Sequence, residues 1–237
     1  MGYGEEDALL DPIIQGIIEA IQLILSGDPE VYRIAGLSLF VSISGTLLSC
    51  VWSIPISAVL ALRNVPGKRT IKGLFTALIG IPTVALGLYL YLLLSRSGPL
   101  GYFQLLYTPY AIIIGQCILV TPIIVSFTTS ALESIDPEVR ALARTLGASG
   151  FQTDALVLRE ARWGVVLAVI AAFNRAFAEL GVAMMPGGNI RDVTRLLTTA
   201  IALQTAMGDI PLSIALSIIL LSIVMTLSVI VSLARRR

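Results

Sequence analysis

The sequence of 237 residues contains no histidine and has few charged side chains. Histidine is the commonest zinc ligand and the usual proton-relay side chain, so its absence argues against both kinds of site. Charged residues make up 13% of the chain, whereas a soluble domain carries about 25%. With 56% hydrophobic residues, this composition predicts a membrane protein. A net charge of +1 gives no general attraction to nucleic acid, so no such partner is expected.

Motifs for catalysis and for metal or nucleotide binding are also missing. The two cysteines, Cys50 and Cys117, lie inside apolar runs without CxxC spacing, so we interpret them as small buried hydrophobic residues. The sequence has no HExxH, no GxSxG and no acid cluster within its apolar segments. It also has no GxxxxGK[ST] phosphate loop. We therefore expect no catalytic residue, no metal site and no cofactor bound by this chain.

Apolar segments long enough to cross a bilayer are the main positive feature of the sequence. A spanning helix needs roughly 20 mostly apolar residues, and five segments satisfy this. They are Ala35–Leu60, Gly73–Leu94, Pro109–Ser130, Val165–Met185 and Ile210–Leu233. Pro55, Pro82 and Pro122 interrupt them, and kinks are expected at these prolines. The predicted fold class is all-α, a polytopic bundle of about five membrane spans.

The placement of basic residues predicts the orientation in the membrane. Eleven of the sixteen Lys and Arg residues fall on one side of the predicted spans. They are Arg63, Lys68, Arg69, Lys72, Arg140, Arg144, Arg159, Arg162 and Arg235–Arg237. The positive-inside rule makes this side cytoplasmic. With five spans the N-terminus then lies outside, where seven acidic residues collect, and the C-terminus lies in the cytoplasm.

The first 34 residues are predicted to form a separate N-terminal element, with the membrane domain covering residues 35–237. Within residues 8–25, Asp11, Gln15, Glu19 and Gln22 form one polar stripe on an otherwise apolar helix. Since Glu19 near its middle disfavours a lipid-facing span, we predict an amphipathic helix at the outer interface or against the bundle. A sixth span, which would place the N-terminus inside, remains the alternative.

The segment of about residues 131–164 is polar and basic, although it lies between two apolar spans. Asp136, Pro137 and Glu138 are typical of a helix start, and Gly147 is a natural stop. A helix over residues 138–146 would present the small side chains Ala141 and Ala143 beside Arg140 and Arg144. Such a helix suits docking in a groove of a soluble partner, but a solvated basic loop fits the same residues.

Three polar residues within the fourth predicted span are candidates for a translocation path: Asn174, Arg175 and Glu179. Ionisable groups at this depth are costly and usually face the interior of a bundle. Arg175 and Glu179, four residues apart on one predicted helix, can neutralise each other. An internal ion pair that supports packing and a role in passing an anion both remain open.

The predicted external segment after this span contains Gly188 and Asn189, followed by Thr198. These residues could line the external mouth of a path through backbone amides and hydroxyls. An ordinary connecting turn is equally compatible with Gly-Gly-Asn.

The polar segment resembles the EAA loop of binding-protein-dependent ABC importer permeases. In that loop Ala141-Leu142-Ala143 stand at the E-A-A positions, Gly147 at the glycine and Val157 at the later apolar position. Arg159-Glu160 stand where Leu-Pro is usual, and Glu is missing at position 141. The stretches ARTLGAS (143–149) and LREAR (158–162) resemble tungstate permeases, as do the three segments 81–101, 171–190 and 194–209.

This resemblance implies a type I ABC importer transmembrane domain that works as a homodimer in the cytoplasmic membrane. An ABC ATP-binding subunit would bind ATP and Mg²⁺, and an external substrate-binding protein would deliver tungstate. Glu138, Arg140, Ala141, Ala143, Arg144 and Gly147 would couple the permease to the ATPase. Import of molybdate or sulfate is the nearest alternative. A self-sufficient secondary transporter would need internal symmetry or further coupling residues.

Overall fold

The computed structural model describes the backbone of residues 3–235 and the side chains of residues 13–19, 21–23, 25–229 and 233. All regular structure in this part of the chain is helical, which confirms the predicted all-α class. The helices are α1 (Tyr3–Ser26), α2 (Pro29–Leu62), α3 (Lys68–Leu78), α4 (Thr83–Leu94), α5 (Pro109–Glu133), α6 (Pro137–Thr145), α7 (Gly150–Glu160), α8 (Arg162–Phe177), α9 (Gly181–Gly187), α10 (Leu197–Met207) and α11 (Ile210–Arg235).

Three of the described helices are by themselves long and apolar enough to cross a membrane. They are α2, α5 and α11, the last over Ile210–Val229. Two broken pairs, α3 with α4 and α8 with α9, also pass when each pair is taken as one crossing. The total is then up to five, in agreement with the predicted number.

Two of the predicted spans, Gly73–Leu94 and Val165–Met185, each consist of two helices rather than one. Residues 79–82 separate α3 from α4, because Gly80 and Pro82 interrupt the hydrogen-bond pattern of a helix. Residues 178–180 separate α8 from α9. By contrast, α2 and α5 continue through Pro55 and Pro122. Of these two breaks, only the one between α3 and α4 contains a proline, Pro82.

Residue contacts divide the chain into two compact units. The first contains the described parts of Met1–Ser42, Thr83–Ile113 and Phe177–Arg237. Its core includes Val41, Ile112, Ala183 and Leu196. Helices α4 and α9 approach closely because both carry glycine at the crossing. A Cβ on Gly87 would lie 2.7 Å from the carbonyl oxygen of Gly181, so no larger residue fits without movement.

The N-terminal helix α1 also belongs to the first unit and packs on α11. Gly16 makes this contact, since a Cβ there would lie 2.5 Å from the Ile214 side chain. The predicted helix over residues 8–25 is present. Asp11, one of the four residues of the predicted polar stripe, lies outside the residues whose side chains are described. The predicted boundary between residues 34 and 35 falls inside α2, because this helix already begins at Pro29. Asp28 caps it there, since its Oδ1 accepts the amide hydrogens of Glu30 and Val31.

The second unit contains Ile43–Pro82 and Ile114–Ala176. One cluster of its core joins α5 to α8 through Val120, Ile124, Ala172 and Ala176. A second cluster joins the ends of α2 and α5 to α7; its members are Ala61, Leu132, Val157 and Ala161. The polar segment after α5 is therefore built onto a packed apolar base.

Candidate functional site

The polar segment between α5 and α8 folds into two short helices with well-defined ends. Asp136 caps α6, and its Oδ1 lies 2.9 Å from the backbone nitrogen of Glu138. Gly147, at a φ of 85°, ends the helix in the left-handed conformation that favours glycine. Ser149 and Gln152 then form a capping box that begins α7. The sequence thus specifies this double helix locally, through its own capping residues.

Helix α7 is the fixed member of the pair. Val157 and Ala161 are buried in the cluster with Ala61 and Leu132. At the exposed side, Arg63 Nη2 lies 2.5 Å from Asp154 Oδ2 and ties the end of α2 to α7. Helix α6 is attached to this base through α7.

Large apolar side chains protrude from the pair. Leu142 is 62% exposed, Leu146 is 79% exposed and Phe151 is 80% exposed. Leu142 and Leu146 are four residues apart and share one face of the turn, with Phe151 following at the start of α7. Three exposed large apolar side chains within ten residues of a polar segment indicate a surface that a partner covers. We call these three residues the apolar knob.

The structure corrects the predicted docking surface at one residue. Ala143 is only 6% exposed, so it packs inward and cannot contact a partner as predicted. Glu138, Ala141, Arg144 and Gly147 are exposed, and Arg140 is half-buried. The small residue at 143 is explained by packing within the pair of helices.

The candidate path residues do not share one helix. Asn174 and Arg175 are half-buried near the end of α8, in the second unit. Glu179 lies in the break after Phe177, in the first unit. The prediction that Arg175 and Glu179 share a helix face is therefore wrong, because α8 ends between them.

Glu179 holds the start of α9. Its side chain is buried, and Oε1 accepts a hydrogen bond from the backbone nitrogen of Val182 at 3.2 Å. Its carbonyl oxygen accepts a hydrogen bond from Thr198 Oγ1 at 2.9 Å. Since the first amides of a helix lack partners within the helix, a carboxylate at this position stabilises α9. Both Glu179 and Thr198 thus contribute to the local fold.

The segment after α9 is a tightly bonded turn. Gly188 ends the helix at a φ of 72°, and a Cβ there would lie 2.6 Å from the Tyr107 ring. Asn189 also has a positive φ, of 50°, and its Nδ2 donates to the carbonyl oxygen of Thr199. Thr194 Oγ1 donates to the Gly187 carbonyl at 2.6 Å and accepts from the Ile190 amide at 2.9 Å. These bonds support the interpretation of this segment as a connecting turn.

Charged residues fix the same turn to the start of α2. Glu30 contacts Arg191 at 2.5 Å and Arg195 at 3.6 Å, and Arg33 pairs with Asp192. The side chains of the Arg33–Asp192 and Glu30–Arg191 pairs are at least 40% exposed, so each of these two pairs contributes about 0.2–1 kcal/mol at most. Their role is to hold the turn in register.

The sequence also matches a family model, described as the binding-protein-dependent transport system inner membrane component, over residues 53–237. The chain belongs to this family. The match includes α5 to α10 and the double helix with its apolar knob. The chain is therefore a membrane-embedded transport component.

Individual relatives agree with this membership over nearly the whole chain. A tungstate uptake system permease protein of Peptoclostridium acidaminophilum is 40% identical, and the alignment covers 90% of this chain and 94% of the relative. A probable anion ABC transporter permease protein of Haloferax volcanii is 41% identical, over 81% and 85% of the two chains. A tungstate uptake system permease protein of Campylobacter jejuni is 34% identical, over 96% and 95%.

The fold also resembles that of a solved transporter chain. The crystal structure of an amino acid ABC transporter contains a chain that matches with a TM-score of 0.62 at 18% sequence identity. The match covers 90% of this chain and 96% of the other. At this identity the likeness establishes the helical architecture and nothing about substrate.

The apolar knob of this family member was not predicted from the sequence. Its signal was the pair of leucines at 142 and 146, with Phe151 beyond the helix stop at Gly147. In a segment with several arginines, three large apolar residues that the core does not bury are unusual. The outward face of α6 can be assigned only from the structure, where Ala143 is buried and Leu142 and Leu146 are exposed.

Proposed function

We propose that this chain is the permease subunit of an ATP-driven importer that moves tungstate across the cytoplasmic membrane. Membership of the binding-protein-dependent family supports the transport role. Two relatives, at 40% and 34% identity, are named as tungstate uptake permeases, which supports the substrate. The observation that carries the energy coupling is the apolar knob on α6 and α7.

In this proposal the side that carries the knob faces the cytoplasm and the N-terminus lies outside. The basic residues Arg63, Lys68, Arg69 and Lys72 belong to the same unit as the double helix, and so do its own arginines. An excess of Lys and Arg near the ends of membrane helices favours the cytoplasmic side.

A separate ABC ATPase subunit covers the knob. The chain has no phosphate loop of its own, so nucleotide energy reaches it through contact with a partner. Closure of the ATPase displaces α6, and α7 transmits the displacement through Val157 and Ala161 to the ends of α2 and α5. Nucleotide binding needs to favour one of two packings by only a few kcal/mol. Two copies of the chain, related by a twofold axis, would enclose the path.

The coupling is tested by adding charge to the knob. We expect Leu142→Asp with Leu146→Asp to leave the permease folded but to weaken ATPase binding at least tenfold, because a carboxylate would be buried without a partner. Co-purification at matched concentrations measures this. Met207→Asp is the control, since Met207 is 69% exposed and belongs to the first unit, whereas α6 and α7 belong to the second. Unchanged ATPase binding by the double variant would contradict the proposal.

The residues Asn174 and Arg175 of α8 contribute to the path for the dianion, with Glu179 shaping it through α9. Two copies of Arg175 would create a positive field that lowers the barrier for an oxyanion. We expect Arg175→Ala to abolish uptake in vesicles while the complex still assembles. Normal uptake by this variant would remove Arg175 from the path.

The substrate is tested by reconstitution with the ATPase and an external substrate-binding protein. ATP hydrolysis is measured with the binding protein loaded with tungstate, molybdate or sulfate. We expect the greatest stimulation with tungstate. Stimulation by sulfate alone would contradict the substrate while leaving the transport role in place.

A further inference from the structure

A cavity of about 190 Å³ lies within the second unit, between α2, α3 and the end of α5. It is well above the roughly 10–15 Å³ that one water molecule requires. Its polar wall includes Lys72, Ser126 and Thr129, and its apolar wall includes Phe75, Ile79 and Phe127. Neither the coupling surface nor the path residues contribute to it, so its role is independent of the proposed function.

Two hydroxyl groups in the polar wall have no hydrogen-bond partner. Thr129 is 1% exposed, and neither its Oγ1 nor Ser126 Oγ is bonded. Hydroxyls in helices usually bond to the carbonyl four residues earlier, as Ser130 Oγ does with Ser126 at 3.0 Å. A buried hydroxyl without a partner costs free energy. Both residues line the cavity, so a ligand bound there can accept their hydrogens.

Lys72 gives the cavity a positive charge that its ion pair does not cancel. Its Nζ lies 2.5 Å from Glu133 Oε2, while Lys68 Nζ lies 2.9 Å from Oε1 of the same carboxylate. Two ammonium groups share one carboxylate, so the group of three carries a net charge of +1. An ammonium group has three N–H donors, so Lys72 can bind Glu133 and an anion together.

The depth of the cavity fits the level of lipid head groups. Thr129 lies four residues before the end of α5, which corresponds to about 6 Å along the helix axis. Helix α3 has no buried residue and carries Lys68, Arg69 and Lys72 in its first five residues, as expected for the basic end of a membrane crossing. Phe127 is 47% exposed, so the apolar wall continues onto the outer surface of α5. Basic pockets between membrane helices commonly bind anionic head groups.

We propose that this cavity binds the phosphate group of an anionic phospholipid. The Lys72 ammonium and the hydroxyls of Ser126 and Thr129 donate hydrogen bonds to the phosphate oxygens. The first acyl carbons pack on Phe75 and Phe127. A free tetrahedral oxyanion shares the phosphate chemistry but would leave the apolar wall uncovered. The bound lipid joins α3 to α5 at the base of the double helix.

The test is a titration of the transporter, purified in mild detergent, with dioctanoyl phosphatidylglycerol, with bound lipid counted by native mass spectrometry. We expect Thr129→Val, which keeps the shape but removes the hydroxyl, to weaken binding about tenfold. Lys72→Gln should weaken it at least as much. Arg69→Gln is the matched control, because Arg69 is exposed on α3 but does not line the cavity, and it should change binding less than twofold.

Further probes identify the source of the phosphate-type group. Dioctanoyl phosphatidylcholine should bind much more weakly, and millimolar inorganic phosphate should not displace phosphatidylglycerol. Displacement would support the same site but assign it to a free oxyanion. Wild-type binding by Thr129→Val and Lys72→Gln, or equal loss in Arg69→Gln, would overturn the proposal. Absence of bound lipid together with disulfide-linked dimers of Phe127→Cys would also overturn it, since a second copy of the chain would then cover the cavity.

Discussion

The turn of residues 187–199 and the segment of residues 136–149 reverse the chain in different ways, although each contains a left-handed glycine. In the turn, the side chains of Asn189, Thr194 and Thr199 form hydrogen bonds with backbone groups. In the segment, hydrogen bonds serve mainly the helix ends, and the apolar side chains of Leu142 and Leu146 remain exposed. The side chains of the turn bond mainly to its own backbone, although Asn189 Oδ1 and Arg195 Nε have no hydrogen-bond partner among the described residues, whereas the segment leaves apolar surface for another protein to cover.

The largest expected effect is a difference in the free energy of unfolding between alanine variants of the two glycines, Gly188 in the turn and Gly147 in the segment. Gly188→Ala should destabilise the protein by about 3 kcal/mol, because the left-handed conformation and the contact with Tyr107 both oppose a Cβ. Gly147→Ala meets only the conformational cost, about 1 kcal/mol, since no atom lies within 4 Å of its Cβ position. Thermal unfolding in detergent measures both. Equal losses would show that the turn is no more tightly built than the segment.

A smaller effect tests the carboxylate of Glu179, which caps the start of α9. Glu179→Ala removes the acceptor of the Val182 amide and should cost about 1–2 kcal/mol, by analogy with lost helix caps. Glu179→Gln keeps an oxygen at the same place and should retain both stability and uptake. Loss of uptake in a stable Gln variant would instead show that transport requires the negative charge.

The smallest effect concerns the ion pairs that Glu30 makes with the turn, one with the exposed Arg191 and one with the half-buried Arg195. Glu30→Gln frees Arg191 and Arg195 and should cost about 0.5 kcal/mol, with the difference from wild type disappearing in high salt. Asp154→Asn removes the matching exposed pair with Arg63 in the second unit. Unfolding of the protein by either variant would contradict this prediction, because it would show that the ion pairs contribute more to stability than the apolar core.

Local signals in the sequence predicted local structure well. Asp136, Pro137 and Gly147 identified α6 because a helix cap involves only neighbouring residues. The composition predicted the helical membrane class, and the number of apolar segments agreed with up to five crossings.

Features that depend on tertiary neighbours were not predictable in the same way. The break before α9 was missed because its apolar residues continue the hydropathy of α8 through Leu180. The burial of Ala143 depends on α7, so the residue pattern alone placed it on the wrong side. The unbonded hydroxyl of Thr129 had no signal in the sequence, because serine and threonine in a helix normally satisfy themselves.

The length of α2 has a consequence for how this protein tolerates different membranes. Its 34 residues make a rod of about 51 Å, whereas the hydrocarbon layer is about 30 Å thick. Tilt alone would need more than 50°, beyond the 0–40° that membrane helices adopt. Part of α2 must therefore stand in water or among head groups, where Glu30 and Arg33 lie at one end and Arg63 follows the other. A bilayer several ångströms thicker would cover more of this rod without requiring it to bend.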